Sequence, residues 1–211
     1  DAVCDVRFLA HGDIQKSAAN YDYVCERILT TLNAEPEYET VCLMTGDWIE
    51  DGIYSGWEEY VFNPAYDNVA EFQARVPIMG CFGNNDDLAS MQKYWPYPYV
   101  DEGYYSFTYG PMEVWVLDSE ADMSGAQKDW LEQGLQNSTK PWRVLVYHKN
   151  AYSAGSGNSE ARDHIHPLAV QYGVAVTFGG HWHTYADQIV DGVLYINTGQ
   201  GGTSEDGHFC M

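Results

Sequence analysis

The chain has 211 residues and a formal net charge of -21, from 10 Lys+Arg against 31 Asp+Glu. A surface this acidic, with no basic stripe, lacks the means to displace counterions from phosphates, so binding to nucleic acid or anionic lipid is not expected. No apolar run approaches the roughly 20 residues that a membrane helix needs, so no membrane span is expected either.

In chain order, Val6–Ala10 reads as a strand ending at Gly12-Asp13. Lys16–Asn33 carries Tyr23, Ile28 and Leu32 between polar residues, a helical pattern. Val41–Thr45 is a second strand, closed by Gly46-Asp47. Gly56–Arg75 is partly helical and rich in aromatics, and leads into strand Pro77–Phe82, closed by Gly83-Asn84-Asn85-Asp86. Tyr104–Tyr109 and Glu113–Leu117 form an antiparallel hairpin around Gly110-Pro111. Ser124-Gly125-Ala126-Gln127 has the form of a capping box, opening a helix with Trp130, Leu131 and Leu135. Strand Arg143–Tyr147 delivers His148, and the next helix ends near Gly173, its C-cap. Strand Val174–Phe178 delivers Gly180-His181-Trp182-His183, and Asp187–Asn197 folds as a hairpin around Asp191-Gly192. This alternation implies an α/β sandwich of two central sheets covered by helices, in one domain spanning residues 1–211.

Cys4, Cys25, Cys42, Cys81 and Cys210 form no tight C-x-x-C pair. Cys42 and Cys81 lie in buried strands, where a thiol behaves as a small hydrophobe, and a Cys4–Cys25 bridge is the lesser alternative to free thiols. A start at Asp1 fits a trimmed chain or removal of a secretory signal. The acidity suits saline surroundings, where repulsion is screened, and favours a secreted or periplasmic location over a cytoplasmic one.

In open α/β sheets, ligands collect beyond the carboxyl ends of strands, and all five polar stretches lie there. Singly, each has a bland reading: a Gly-Asp pair is ordinarily a turn, Asn84-Asn85-Asp86 likewise, and His148 a polar strand cap. Together they offer two aspartates, one asparagine and three histidines, too many ligands for one ion and about right for two. Imidazole donors favour Mn, Fe, Co, Ni or Zn over Mg or Ca. The i, i+2 spacing puts His181 and His183 on one side of an extended backbone, with Trp182 on the other. Two such ions would invert the local electrostatics of so acidic a chain.

These blocks resemble the calcineurin-like metallophosphoesterases, whose motifs run Asp-x-His, Gly-Asp, Gly-Asn-His-Asp/Glu, His and Gly-His-x-His. The resemblance runs from about Val6 to Gly202. Gly125–Leu131, Val144–His148, Tyr172–Val174, Gly180–His183 and Tyr195–Gly199 look most like the purple-acid-phosphatase-related branch. It implies a four-layer αββα sandwich with two central mixed sheets flanked by helices. It also implies two divalent or trivalent ions: Asp13 and His183 on the first, Asn84, His148 and His181 on the second, and Asp47 bridging. Asp86 would orient a ligand from behind.

Several positions depart from the family pattern. Gln15 stands where the family has a histidine and offers only a carbonyl oxygen, so first-site affinity should drop or a water should complete the shell. Glu50 occupies the place of the purple-branch tyrosine ligand and reads as solvated loop ahead of a substitute ligand. His11 reads as a buried polar residue. Asn85 replaces the histidine that helps protonate the leaving oxygen; its amide can donate a hydrogen bond but not a proton. General acid catalysis is typically worth ~10²–10⁴-fold, and activated leaving groups need it least. Bacterial and archaeal family members with Cys or Asn at this place look like phosphodiesterases, and that resemblance favours diesters over monoesters. His164 and His166 lie where the purple branch supplies a substrate-contacting histidine; His164 is the candidate substitute acid, although both read as helix surface before Pro167. Lys149 meets substrate or water. Loop Ala151–Ser159 is expected to overhang the site, and Tyr94–Tyr99 to pack on the sandwich or wall a pocket.

The expected function is phosphoester hydrolysis by a hydroxide bridging two metal ions, on a small-molecule phosphodiester. A phosphomonoesterase and a degenerate, non-catalytic scaffold are the alternatives.

Overall fold

Side chains along the central strands alternate between two cores, and that alternation builds the layers. The computed structural model describes residues 6–36, 40–50, 54–95, 102–153 and 156–201. Strands β1 (Arg7–His11), β2 (Thr40–Met44) and β3 (Ile78–Gly80) pair in that order, all parallel, with Leu9 opposite Cys42 and Met44 opposite Gly80. A second sheet contains β4 (Tyr105–Tyr109), β5 (Met112–Val116), β6 (Trp142–Val146), β7 (Val176–Gly179), β8 (Tyr185–Val190) and β9 (Val193–Thr198). Its order is β4-β5-β6-β7-β9-β8, parallel except at the two edge strands.

Leu9, Cys42 and Met44 face helices α1 (Ala18–Ala34) and α3 (Asp67–Arg75), while Ala10, Val41 and Leu43 face the second sheet. Val114, Val116, Val144 and Val146 answer from that sheet. Trp115, Leu117 and Leu145 turn outward to α5 (Ala126–Asn137) and α6 (His166–Gln171). The layers are therefore helix, sheet, sheet, helix. The second sheet is mixed as expected; the first is wholly parallel among the described residues. The Tyr105 hydroxyl, bonded to Gly80 N and O at 2.9 and 3.0 Å, joins the sheets.

The remaining elements are α2 (Tyr54–Gly56), which runs into π-helical Trp57–Val61, α4 (Leu88–Tyr94), and π-helical Ala161–Ile165 ahead of α6. Ser17 caps α1 by accepting from Asn20 N, and Asp87 caps α4 through Ser90 N. After α6, Gly173 N bonds Val170 O and Val174 N bonds Ala169 O, a Schellman ending with Gly173 at φ +65.

Two expectations about these elements need correction. No capping box opens α5: the cap position is Gly125, without a side-chain bond. Gln127 is instead buried, its amide bonded to Asp118 N and O at 2.7 and 2.9 Å, so it pins the end of β5. Ser124 Oγ turns to Asp122. His166 is not helix surface: it is buried, 2.6 Å from the Tyr195 hydroxyl and 3.1 Å from Asp191 Oδ2. Cys25 is a free buried thiol, like Cys42 and Cys81; Cys4 and Cys210 lie outside the described residues. Trp95 packs on Trp48 at 4.6 Å in an aromatic cluster with Trp57 and Phe62, while residues 96–99 lie outside the description. In the loop after β6, Asn158 N bonds Asn150 O and Gln188 Nε2 bonds Ser153 O; residues 154–155 are not described.

Candidate metal centre

The loops after β1 and β2 are knitted together before any side chain is considered. Asp13 N donates to Gly46 O at 2.9 Å, and Ile14 N to Asp47 O at 3.0 Å. Gly46 makes this possible: its φ is +91, and a Cβ there would stand 2.8 Å from Gly83 N and 2.9 Å from His148 Nδ1. Asp13 and Asp47 themselves sit in the left-handed region, at φ 52 and 54. His181 and His183, after β7, do so too, at φ 72 and 51. The backbone there is bent, not extended as the i, i+2 reading supposed. Such conformations cost roughly 1–3 kcal/mol each and collect at functional sites. Gly180 lets this last loop close on the first, since a Cβ on it would stand 2.2 Å from Asp13 Oδ2. His181 N then donates to both Asp13 oxygens, at 3.0 and 3.1 Å.

The loop after β3 is tied in by its acids and amides. Asp86 Oδ1 accepts from Trp48 N and Ile49 N at 2.9 and 3.1 Å, and its Oδ2 from Gly83 N at 2.7 Å. Asp86 therefore holds the Asp47 and Asn84 loops together. Asn85 donates its backbone N–H to Asp47 Oδ1 at 3.0 Å and its side-chain amide to Asp47 Oδ2 at 2.8 Å. Its backbone and its amide thus both turn to the aspartate. Gln15 Nε2 also donates to Asp47 Oδ2, at 2.8 Å.

His148 is fully buried, its Nδ1 2.9 Å from the Thr45 carbonyl oxygen. A carbonyl only accepts, so Nδ1 carries a proton toward it and Nε2 is the nitrogen that faces the centre. That nitrogen lies 3.2 Å from Asn84 Oδ1 and 3.4 Å from Asp47 Oδ1. Across the centre, His183 Nε2 lies 3.3 Å from Asp13 Oδ1. The His148 and His181 rings meet edge to face at 5.2 Å. Thr45 Oγ1, 2.9 Å from Thr198 Oγ1, bonds the two sheets beneath.

This donor set fits metal ions. Ligand atoms ~2.1 Å from a shared ion and roughly 100° apart stand ~3.2 Å from each other, the spacing of the three histidine–oxygen pairs above. One donor atom from each of Asp13, Asp47 and His148 lies within 4.8 Å of the others. Gln15 Oε1 is buried without a hydrogen-bond partner, an oxygen left over for an ion or its water.

The electrostatics agree. Burial raises the Asp13 carboxyl above its ordinary range. Burial pushes Asp47 the same way, but the His148 and Asn85 bonds outweigh it and hold Asp47 below that range. His148 is lifted to about 9 despite its burial, because Asp47 and Asp13 face it. His181 falls to about 4 through burial, the His148 charge and Lys149. Asp86, enclosed by its three N–H donors, is pushed up to about 7, burial first and the Asp47 charge after it.

Residues 6–185 match the calcineurin-like phosphoesterase family. The chain belongs to it. Among curated relatives, purple acid phosphatase 18 of Arabidopsis thaliana is 26% identical over 142 residues, covering 57% of this chain and 32% of the relative. Purple acid phosphatase 23 of the same plant is 28% identical over 178 residues, covering 68% and 39%. The chain thus spans about a third of the length of these relatives. The purple acid phosphatase PPD1 from yellow lupin (Lupinus luteus) seeds shares the fold with a TM-score of 0.69 at 16% identity, over 97% of this chain and 45% of that one. GAP50, the anchor in the inner membrane complex of Plasmodium, does so with 0.74 at 16%, over 98% and 75%.

As a calcineurin-like phosphoesterase, the chain brings Asp13, Gln15, Asp47, Asn84, Asn85, Asp86, His148, His181 and His183 to one face. His164 is half-buried on the π-helical turn, near enough to the Asp122 carboxyl to help lower it. Glu50 pairs with Lys16, and Lys149 with Glu120. His11 is fully buried between Tyr21 and Phe72, with no bond to either nitrogen. Thr45, whose carbonyl orients His148, was not legible as a site residue, since any residue type supplies a carbonyl.

Proposed function

We propose that this chain is a two-metal phosphoester hydrolase acting on small-molecule substrates, diesters ahead of monoesters. The observation that carries the reading is the His148 imidazole, with Nδ1 committed to Thr45 O and Nε2 facing Asp47 and Asn84. That nitrogen, set against two oxygens, must carry either a proton or a metal ion, and Asp13, His181 and His183 around it supply the further donors that an ion needs. Asp13 and His183 would hold one ion, Asn84, His148 and His181 the other, and Asp47 both. Ions of the Mn, Fe, Co, Ni and Zn group, when bound, supply Lewis acidity toward phosphoryl oxygens and a nucleophile near neutral pH. Asn85, donating to both oxygens, and Gln15, donating to Oδ2, fix the Asp47 carboxylate with Oδ1 facing His148. Asp86 keeps the two loops at one spacing, and Thr45 keeps His148 in one tautomer.

The preference for diesters rests on Asn85 in place of the family's histidine, a replacement also met in family members that look like phosphodiesterases. The monoesterase reading has its own support in the similarity to purple acid phosphatases. GAP50 is described as an anchor, so the fold alone does not make a hydrolase. The acidic balance fits work outside the cytoplasm, and among the described residues no helix is long and apolar enough to cross a membrane.

The test is turnover of aryl phosphate monoesters and diesters by the chelated protein, before and after adding Mn, Fe, Co, Ni or Zn. Rate should vanish on chelation, return with metal, and be higher for the diester. A protein that binds none of these ions and turns over neither ester contradicts the hydrolase reading.

A further inference from the structure

The Lys149–Glu120 ion pair stands beside the centre but outside the ligand set. Lys149 follows His148 directly, and its backbone N–H is fixed by Ser119 Oγ at 2.9 Å. Its ammonium meets the Glu120 carboxylate, with the two side chains 26% and 21% exposed. Glu120 is anchored in turn: its N–H donates to Asp118 Oδ1 at 2.8 Å, and Ser119 Oγ donates to its Oε1 at 3.1 Å. The carbonyl oxygen of His148, the residue before Lys149, accepts from Gly180 N at 2.9 Å, which sets Lys149 beside the loop that carries His181.

The centre has few cationic donors for a substrate oxygen. Asn85 is neutral and commits its backbone N–H and one of its two amide N–H bonds to Asp47. Cations are scarce in a chain with 10 Lys+Arg, and Lys16, on the Gln15 side, is closed on Glu50. We propose that Lys149 is a substrate-binding residue whose ammonium takes a phosphoryl oxygen of the ester, and that Glu120 is its resting partner, exchanged for substrate. The inference rests on the hydrolase reading in taking the anion to be a phosphoester. A lysine suits the exchange: a flexible stem carries a compact charge with three rotatable donors. A partly exposed ion pair is weak, so a phosphoryl group held beside two metal ions can displace Glu120. The two partners then have opposite effects on anion affinity, whereas a structural clasp would need both alike.

The experiment measures inorganic phosphate binding to the metal-loaded protein by calorimetry, alongside KM and kcat on aryl phosphate esters. Lys149→Met should weaken phosphate and raise KM about ten-fold or more, with a much smaller change in kcat. Lys149→Arg should recover most of the loss, and Glu120→Gln should tighten phosphate. Lys140→Met removes the same charge at the opposite end of the second sheet, where Lys140 bonds Gly110 O, and should change neither quantity. Phosphate affinity within two-fold of wild type in Lys149→Met overturns the proposal, as does weakening in Glu120→Gln. Lys149-dependent phosphate binding without ester turnover would leave the inference standing and remove the hydrolase reading. Turnover with Lys149-independent phosphate binding would remove the inference alone.

Discussion

His148 Nδ1 stands 2.9 Å from the Thr45 carbonyl oxygen, and this single bond decides what the opposite nitrogen can do. With Nδ1–H donated, Nε2 opposes Asp47 and Asn84 oxygens and holds either a proton or a metal ion. Without metal it holds the proton, which is why the imidazole is lifted to about 9 although burial alone would lower it. Metal binding near neutral pH should therefore release a proton from this site, and apparent affinity should rise with pH up to about 9. Calorimetry in buffers of different ionisation heat counts the proton. A pH-independent affinity between 7 and 9 would remove His148 from the ligand set.

The same proton affects the stability of the metal-free protein. A histidine raised in the folded state stabilises fully below its unfolded value of 6.5 and loses that contribution as pH rises through about 9. Thermal melts of chelated protein should fall across that window. Metal-loaded protein should not follow, because an ion has replaced the proton.

Asp86 ties three backbone donors from two loops. Asp86→Asn keeps one acceptor but sets an NH2 group against an N–H, so stability should drop by about 1–3 kcal/mol. Because Asp47 and Asn84 lie on those loops, kcat should drop as well, while tight metal binding persists at high metal concentration. Melts and metal titrations of the variant separate the two effects.

The strand ends were readable because apolar runs of five or so residues stop at Gly-Asp, Gly-Asn or Gly-His, which cannot continue a buried strand. That reading located the loops but not their shape. Asp13, Asp47, His181 and His183 adopt positive φ because Gly46 and Gly180 let neighbouring loops approach within one atom's width, a tertiary fact with no local signature. Gln127 misled for the same reason: its spacing from Ser124 suits a cap, but the buried end of β5 takes its amide. His166 looked solvated beside Pro167, and its partner Tyr195 is 29 residues away. Asn85 was legible as a missing acid, not as a brace for Asp47.

His11 is fully buried, unpartnered and lowered to about 4 by that burial. The unfolded chain takes up its proton near 6.5, so this residue lowers stability as pH falls from 6.5 toward 4. The loss is on the order of 3 kcal/mol at its fullest, from ~1.4 kcal/mol per pKa unit. His11→Phe, an aromatic replacement between Tyr21 and Phe72, should flatten the acid limb of the stability curve. Denaturant midpoints at pH 7 and pH 5 for both proteins check it; equal acid sensitivity would contradict the assignment.

The most direct measurement is the metal content per chain of purified protein and of Asp47→Asn after loading and desalting. Wild type should retain two ions, and the variant, having lost the carboxylate that serves both, should retain fewer and hydrolyse no ester. An equal metal content with near-normal turnover in Asp47→Asn would contradict the bridging role on which the two-metal centre depends.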